Sequence, residues 1–408
     1  MNRCSAAARL MGCALGLVPL LVLATPSAAA TVSLPADAPA TRTAALEEVW
    51  RLGGDDDGAP LLGVITGGAR DAEGNVYLVD RQLSQVLVIA PDGTLAATLG
   101  REGDGPGEMR NPHSILLTPD AVGVVQGFPG KVTYLGRDGT PKGELKVGGD
   151  AAKGGFNFVR QMAWTSGVLV GAIGRGAFDM EKGTNTTTSS IAILNADGSS
   201  KAEIAPNVQS RDFQKFVFDE AADWAEYAAW CATPDGRICS AAGRERWAVN
   251  VRDLDGNLVQ AWERPFTPRR REAADKEAVG SDMRIVVNGQ RMLPEVHALD
   301  TDPAIDALYA AGDGRVFVRT CWDVRERLED GTAGRFDVVA KDGRLLEQLT
   351  LTFPDFHPAD DALVWLDGQY YLVLKNATDM MRDEDDTDEA KDVADAEPLE
   401  VVLVRLPG

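Results

Sequence analysis

The sequence predicts an all-β chain folded as a six-bladed β-propeller, each blade a four-stranded antiparallel sheet. Three observations carry this reading. The first is a repeat: Leu52-Gly53 followed by Asp57-Gly58 returns as Leu99-Gly100 followed by Asp104-Gly105, and Asp92-Gly93 returns as Asp138-Gly139. A period of this length holding four short strands marks a propeller blade. The second is a double series of tight-turn signals. Strands a and b meet at Glu73-Gly74, Asp120-Ala121, Ser166-Gly167, Asp235-Gly236, Asp313-Gly314 and Asp367-Gly368, and strands c and d meet at Asp92-Gly93, Asp138-Gly139, Asp197-Gly198, Asp255-Gly256 and Asp342-Gly343. Asp-Gly supplies the positive φ that hairpin turns demand. The third is a strand count that closes on itself. Five blades fall at 64–99, 112–147, 158–205, 227–264 and 305–351. The sixth has three strands (361–366, 369–375, 399–406), and one strand, 46–52, is left over at the other end. It resembles the outer strand 95–99 and is expected to complete the last blade, which removes an exposed sheet edge.

Residues 1–30 read as a signal peptide. Arg3 and Arg9 open it, an apolar run covers 10–24, and Ala28-Ala29-Ala30 offers a cleavage site. Residues 31–44 are expected to be a linker and 45–408 the propeller. A periplasmic or secreted protein with no membrane insertion follows. The formal charge is −21, from 41 Lys and Arg against 62 Asp and Glu. That balance argues against nucleic acid, which requires a basic face. Nothing in the chain calls for more than a monomer.

The strands are apolar and β-branched, and many are apolar on both faces. A strand inside a blade packs against two neighbouring blades, so alternation is lost. Strand parity then sorts the connections. The a–b and c–d turns share one face of the ring. All the long insertions (174–189, 206–226, 265–304, 322–335 and 376–398) lie on the other. Insertions on one face of a repeat mark its working face. Within 376–398 an almost wholly acidic run is expected to be a mobile loop.

Pro112-His113-Ser114-Ile115, preceded by Gly74-Asn75-Val76-Tyr77-Leu78-Val79-Asp80, resembles NHL-type repeats of exported bacterial six-bladed propellers. Two positions depart from the pattern: Arg81-Gln82 follow Asp80, and Ser114 stands where a glycine is expected. The resemblance implies the fold and no single activity. Peptidyl-hydroxyglycine lyases, which resemble NHL propellers, hold a metal with histidines in the channel. The three histidines here, His113, His297 and His357, all fall on the long-loop side. Three imidazoles with an open position make a catalytic zinc shell, but these three are out of register with one another.

Counting seven residues back from each a–b turn gives the mouth of the channel. It selects Thr66, His113, Ala228, Asp306 and Asp360, with Arg160 and Tyr227 one position away. This polar ring is where a ligand is expected. The reading is a non-enzymatic exported propeller that binds a peptide, glycan or protein partner there, without a cofactor. The alternative is a metal-dependent lyase or lactonase-like hydrolase in the channel, using zinc or calcium. One covalent feature is also expected. If the Pro234-Asp235-Gly236 turn is a three-residue loop, Thr233 pairs with Arg237 and Cys231 stands opposite Cys239, close enough for a disulfide. A loop of two or four residues would put the two sulfurs on opposite faces.

Overall fold

A computed structural model describes residues 29–54, 60–149, 155–212, 215–279, 285–287, 290–292, 294–324, 327–378 and 399–407. Six antiparallel sheets form the ring. Blade 1 runs Ile65–Arg70, Val76–Asp80, Gln85–Ile89 and Leu95–Leu99. Blade 2 runs Pro112–Leu117, Val122–Gln126, Lys131–Leu135 and Pro141–Lys146. Blade 3 runs Gly155–Thr165, Val168–Asp179, Thr184–Leu194 and Ser200–Asp212. Blade 4 runs Trp230–Ala232, Ile238–Ala241, Ala248–Arg252 and Leu258–Glu263. Blade 5 runs Ile305–Ala310, Val316–Thr320, Thr332–Val339 and Leu345–Thr352. Blade 6 takes Ala362–Trp365, Tyr370–Lys375 and Glu400–Arg405, and its outer strand is Glu47–Gly53, antiparallel to Glu400–Arg405. The closure by the N-terminal strand is as the strand count predicts. The signal peptide and nearly all of 376–398 lie outside the described residues. Among the described residues no helix is long and apolar enough to cross a membrane.

The turns form for local reasons. In the c–d turns of blades 1, 2 and 3, the carboxylates of Asp92, Asp138 and Asp197 accept from the backbone N–H two residues on, at 3.0, 3.1 and 3.0 Å. Each also accepts from that residue's hydroxyl, on Thr94, Thr140 and Ser199. The glycine between them takes φ of +89, +84 and +84°, which a side chain resists. These hydrogen bonds hold all three carboxyls below their usual range.

The core is divided among the six interfaces between neighbouring blades. Ile65, Val76 and Leu78 of blade 1, for example, pack against Leu372, Leu374 and Leu403 of blade 6. Tyr77, Val86 and Val88 turn the other way, onto Val122 and Leu135 of blade 2. A strand whose two faces meet different neighbours is apolar throughout, as Val76–Asp80 is. Each fully buried Leu, Val or Ile contributes about 1.5–3 kcal/mol by leaving water. A buried ion pair adds specificity between blades 4 and 5. The Asp337 carboxylate accepts from Arg264 Nη1 at 2.7 Å and from Trp247 Nε1 at 3.0 Å.

Two expectations are corrected. Residues 31–44 are more than a linker. Ala30–Ser33 pairs in parallel with the outer strand of blade 4, and Thr41–Ala45 pairs in parallel with the outer strand of blade 5. Arg42 clasps Glu347 with two hydrogen bonds of 2.9 Å, and Leu34, Ala44 and Leu46 are buried. With Glu47–Gly53, the segment spans three consecutive blades. The second correction concerns blade 3. Most of 174–189 and part of 206–226 are strand, not loop. All four strands, eleven to thirteen residues long, continue past the ring. They stand on the long-loop face as a raised sheet.

Candidate functional site

Strand a carries a bulge in four blades. The pairing slips between Ile65 and Gly67, Pro112 and Ser114, Val159 and Gln161, and Ile305 and Ala307. The extra residue is Thr66, His113, Arg160 and Asp306 in turn. A bulge re-aims its side chain and bends the strand. Thr66, His113 and Asp306 are residues that register counting selects for the channel mouth, and Arg160 is one position from the count. Below them the channel, a cavity of about 520 Å3, is lined by Leu116, Met162, Ala232, Leu308 and Val364 together with Arg70, Gln161 and Tyr309.

The bulged residues go to different places. His113 is half-buried, and its Nε2 lies 3.3 Å from the Arg160 carbonyl. A carbonyl only accepts, so Nε2 carries the proton. Nδ1 is buried without a partner, and burial lowers the imidazole pKa. Asp306 accepts from Arg319 Nε at 2.6 Å. It lines a cavity of about 500 Å3 that also takes in Arg271, Tyr309, Cys321 and Arg327. Asp360 is exposed, and its backbone N–H donates to the His357 carbonyl.

Arg160 and Tyr227 come together. The Arg160 guanidinium carbon lies 5.2 Å from the Phe158 ring centroid and 5.5 Å from that of Tyr227. Both residues line a cavity of about 320 Å3 between the raised sheet and the segment 215–228. The sheet contributes Thr187, Ser189, Asn207, Gln209 and Arg211, and the segment contributes Phe216, Phe218, Asp223 and Tyr227. Arg211 pairs with Asp223 and lies over Phe216. Burial raises the Asp223 carboxyl against the pull of Arg211.

The segment is held from both sides. Asp219 caps a one-turn helix, Glu220–Asp223, by accepting from Ala221 and Ala222 N–H. Glu220 accepts from Arg244 at 2.5 Å, Arg271 at 2.6 Å and Leu299 N at 2.8 Å. Burial works against its ionisation, yet these bonds keep its carboxyl below the usual range. Glu226 accepts from Ser240 Oγ at 2.6 Å and Arg252 Nη1 at 2.7 Å of blade 4. Tyr227, next in sequence, is thereby held at the cavity wall. From the sheet side, the amides of Asn207 and Gln209 donate to the Ala222 carbonyl at 3.0 and 2.5 Å.

The three histidines stay apart in their partners. His297 lies between Glu295 (3.1 Å) and Asp219 (3.6 Å), which raise its pKa, and His357 faces Asp330 at 3.6 Å. Among the described residues no three His, Cys, Asp or Glu side chains are grouped to hold a metal ion. Cys231 pairs directly with Cys239, and Thr233 N donates to Arg237 O at 2.8 Å, which is the register of a three-residue loop. Both thiols are buried and unbridged; their mutual contact and burial raise the pKa of Cys231.

Thr187, Ser189, Asn207, Gln209 and Arg211 escape sequence reading. The stretches 174–189 and 206–226 carry no turn signal from which register can be counted. The β-branched run Thr186-Thr187-Thr188 was the available sign of strand.

No protein-family model matches the chain, and no curated protein matches it. Several solved structures are similar. A Bacteroides fragilis protein thought to be exported has a TM-score of 0.47 at 10% identity, over 93% of this chain and 100% of that one. Virginiamycin B lyase of Staphylococcus aureus has a TM-score of 0.40 at 10% identity, over 88% and 99%. Regucalcin of Agrobacterium tumefaciens, a calcium-binding protein, has a TM-score of 0.38 at 12% identity, over 90% and 97%. The likeness reaches no further than the fold, a six-bladed β-propeller, which the sheet topology itself shows.

Proposed function

We propose that this chain is an exported, non-enzymatic binding propeller of NHL type whose ligand sits between the raised sheet of blade 3 and the segment 215–228. The observation that carries the reading is the meeting of Arg160 and Tyr227 on the wall of the 320 Å3 cavity. Both lie one position from those that the count of seven back from the a–b turn picks out. The anchoring of Glu220 and Glu226 supports it, since a preformed site loses little freedom on binding. A peptide, glycan or protein partner fits the working face. The metal-dependent lyase or hydrolase reading lacks such support, because the histidines it needs have separate partners.

A thermal-shift screen of peptides and oligosaccharides tests the reading. A ligand that binds the native state raises the melting temperature. The expected hit stabilises the wild-type chain and leaves Gln209→Ala unmoved. Hits that stabilise both equally, with none that discriminates, would remove the cleft as the site. Stoichiometric zinc or calcium in the purified protein would restore the metal-dependent alternative.

A further inference from the structure

We infer that the cavity beside Asp306 is a second ligand site and that it takes a small hydroxycarboxylate, with the carboxylate on Arg327 and a hydroxyl between Asp306 and the phenol of Tyr309. This cavity and the cleft against blade 3 have no lining residue in common. Either reading can therefore fail without the other.

Several parts of the chain meet to build the site. The inner strand of blade 5, Ile305–Ala310, brings Asp306 and Tyr309. The bulge at Asp306 re-aims its side chain. The next strand, Val316–Thr320, brings Arg319. The insertion before blade 5 brings Arg271 and Asp302, and the loop after Thr320 brings Arg327. Together they wall about 500 Å3, an ordinary size for a small-molecule pocket. Tyr309 and Leu363 line the channel as well, so a ligand has room to extend beyond the charged part.

The charges decide the sign of the ligand. Asp302 serves three guanidinium groups, on Arg269 at 3.3 Å, Arg271 at 2.7 Å and Arg327 at 3.0 Å. Arg269 also pairs with Asp275, Arg271 with Glu220, and Glu220 with Arg244. Among the described residues, four arginines thus share three carboxylates. The pair of Arg319 with Asp306, at 2.6 Å, adds no net charge. One guanidinium is left over. Arg327 is the most open of the four, its side chain 28% exposed against 7–16% for the others. Its Nη1 donates to the Cys321 carbonyl at 2.8 Å, which orients the fork. A guanidinium fork matches a carboxylate. A surplus cation at a cavity of a chain of charge −21 suits one anionic group, because the field of the whole chain repels a dense polyanion.

The remaining polar groups call for a hydroxyl. Asp306 accepts from Arg319 through Oδ2, and its Oδ1 accepts from nothing among the described residues. The Tyr309 ring is stacked on Trp365, with centroids 4.9 Å apart and planes at 21°, and meets the edge of Phe336. Its faces are used. Its hydroxyl has no hydrogen-bond partner among the described residues and is the part left for a ligand. A carboxylate oxygen only accepts, whereas a phenol also donates. A ligand hydroxyl satisfies both, donating to Asp306 and accepting from Tyr309. An ammonium accepts nothing from Tyr309, and it would cancel the charge that Arg327 requires.

Calorimetric titration of the full chain is the test. The probes are a panel of hydroxycarboxylates of graded length, with the matching amides, deoxy acids and amino acids, and inorganic phosphate. At least one hydroxy acid should bind. Its amide should bind about tenfold more weakly or worse, the loss of a charge-assisted pair, and its deoxy acid about threefold to tenfold more weakly. Arg327→Gln should abolish the preference for acid over amide, and Arg327→Lys should keep most of it. Tyr309→Phe, which retains the stack on Trp365, should narrow the gap between hydroxy and deoxy acid. Lys182→Ala, 77% exposed on the raised sheet, should change neither. An unchanged melting temperature verifies folding. If Arg327→Gln does not fold, Arg327→Lys and Tyr309→Phe carry the test against the wild-type chain. Equal binding of acid and amide by the wild-type chain, or a preference that survives in a folded Arg327→Gln, would overturn the carboxylate assignment. Deoxy acids, amino acids or phosphate that bind as tightly as the hydroxy acids would overturn the hydroxyl assignment. Binding of no hydroxy acid would overturn the site.

Discussion

Blades 1 and 3 share one hydrogen-bonding plan and put it to different use. Blade 1 is all ring, with strands of five or six residues whose second strand is wholly buried. Blade 3 begins in the same way, and its Ile191, Ala192 and Ile193 are fully buried between neighbours. It then keeps going, with strands of eleven to thirteen residues. Above the ring the buried apolar run gives way, through the buried Ser189, to the half-buried Thr184, Asn185, Thr186, Thr187 and Thr188. Burial dictates the composition of the lower half. The upper half escapes that demand, so its side chains are available for a ligand.

That contrast can be broken most severely at the ring. Removing residues 29–53 strips strands from blades 4, 5 and 6. Cooperative thermal unfolding should be lost. Shortening blade 3 by joining 176 to 187 through an Asn-Gly turn should instead leave the melting temperature within a few degrees and abolish ligand binding. Comparable collapse in both variants would refute the division. Next, Asp337→Ala strands a buried guanidinium between blades and should cost about 3–5 kcal/mol in urea unfolding. Leu78→Ala in blade 1 should cost about 2–5 kcal/mol. Val208→Ala, 62% exposed on the raised sheet, should stay within about 0.5 kcal/mol.

Smaller effects sharpen the picture in blades 4 and 2. In an oxidising buffer, Cys231 and Cys239 are expected to join. Thiol titration of the denatured, unreduced protein without residues 1–30, which carry Cys4 and Cys13, should then find Cys321 alone, and the bridge should add about 2 kcal/mol. Three reactive thiols would count against it. The smallest effect is a pH dependence. Burial lowers the folded-state pKa of His113 below its unfolded value of about 6.5. The unfolded chain therefore binds the proton more readily between the two values. Stability is lost as pH falls through that window and is complete above about 6.5. His113→Gln should flatten this part of the stability–pH curve, and an unaltered curve would show that the imidazole does not titrate there.

Much of the ring was legible because its turns are chemically explicit. Asp-Gly followed by Thr or Ser announces both the positive φ and the side-chain bonds that hold it, and the unpaired strand near Trp50 announced the closure. Thr66, His113 and Asp306 were legible because the bulge recurs seven residues before the a–b turn, whereas Arg160, six before its turn, lies one position off that count. Thr41–Ala45 was not, since a strand added in parallel at an outer edge needs no hairpin turn and is exposed at all but one residue. Gln209 and Arg211 were hidden by Ala205, whose φ of +47° marks a bulge before Pro206 and shifts the count. A strand polar on both faces also carries no alternation to read.

The threading of residues 30–53 across blades 4, 5 and 6 bears on how the chain reaches its native state. Arg42 finds its partner 305 residues away, Arg51 reaches Glu400 across 349, and Glu47 receives Arg405 across 358. The first part of the folded chain to be synthesised therefore waits for the last. Blades 1 to 3 can pair locally as they emerge, because their strands are sequential neighbours. Blade 4 gains its fifth strand only after 258–263 is made, blade 5 after 345–352, and blade 6 lacks its fourth until the two ends meet. Contacts of such high order slow folding, since loop closure must precede the pairing that rewards it. Ring closure is accordingly the late, rate-setting event, and until it occurs the outer strand edges of blades 4, 5 and 6 stand open to pairing with other chains.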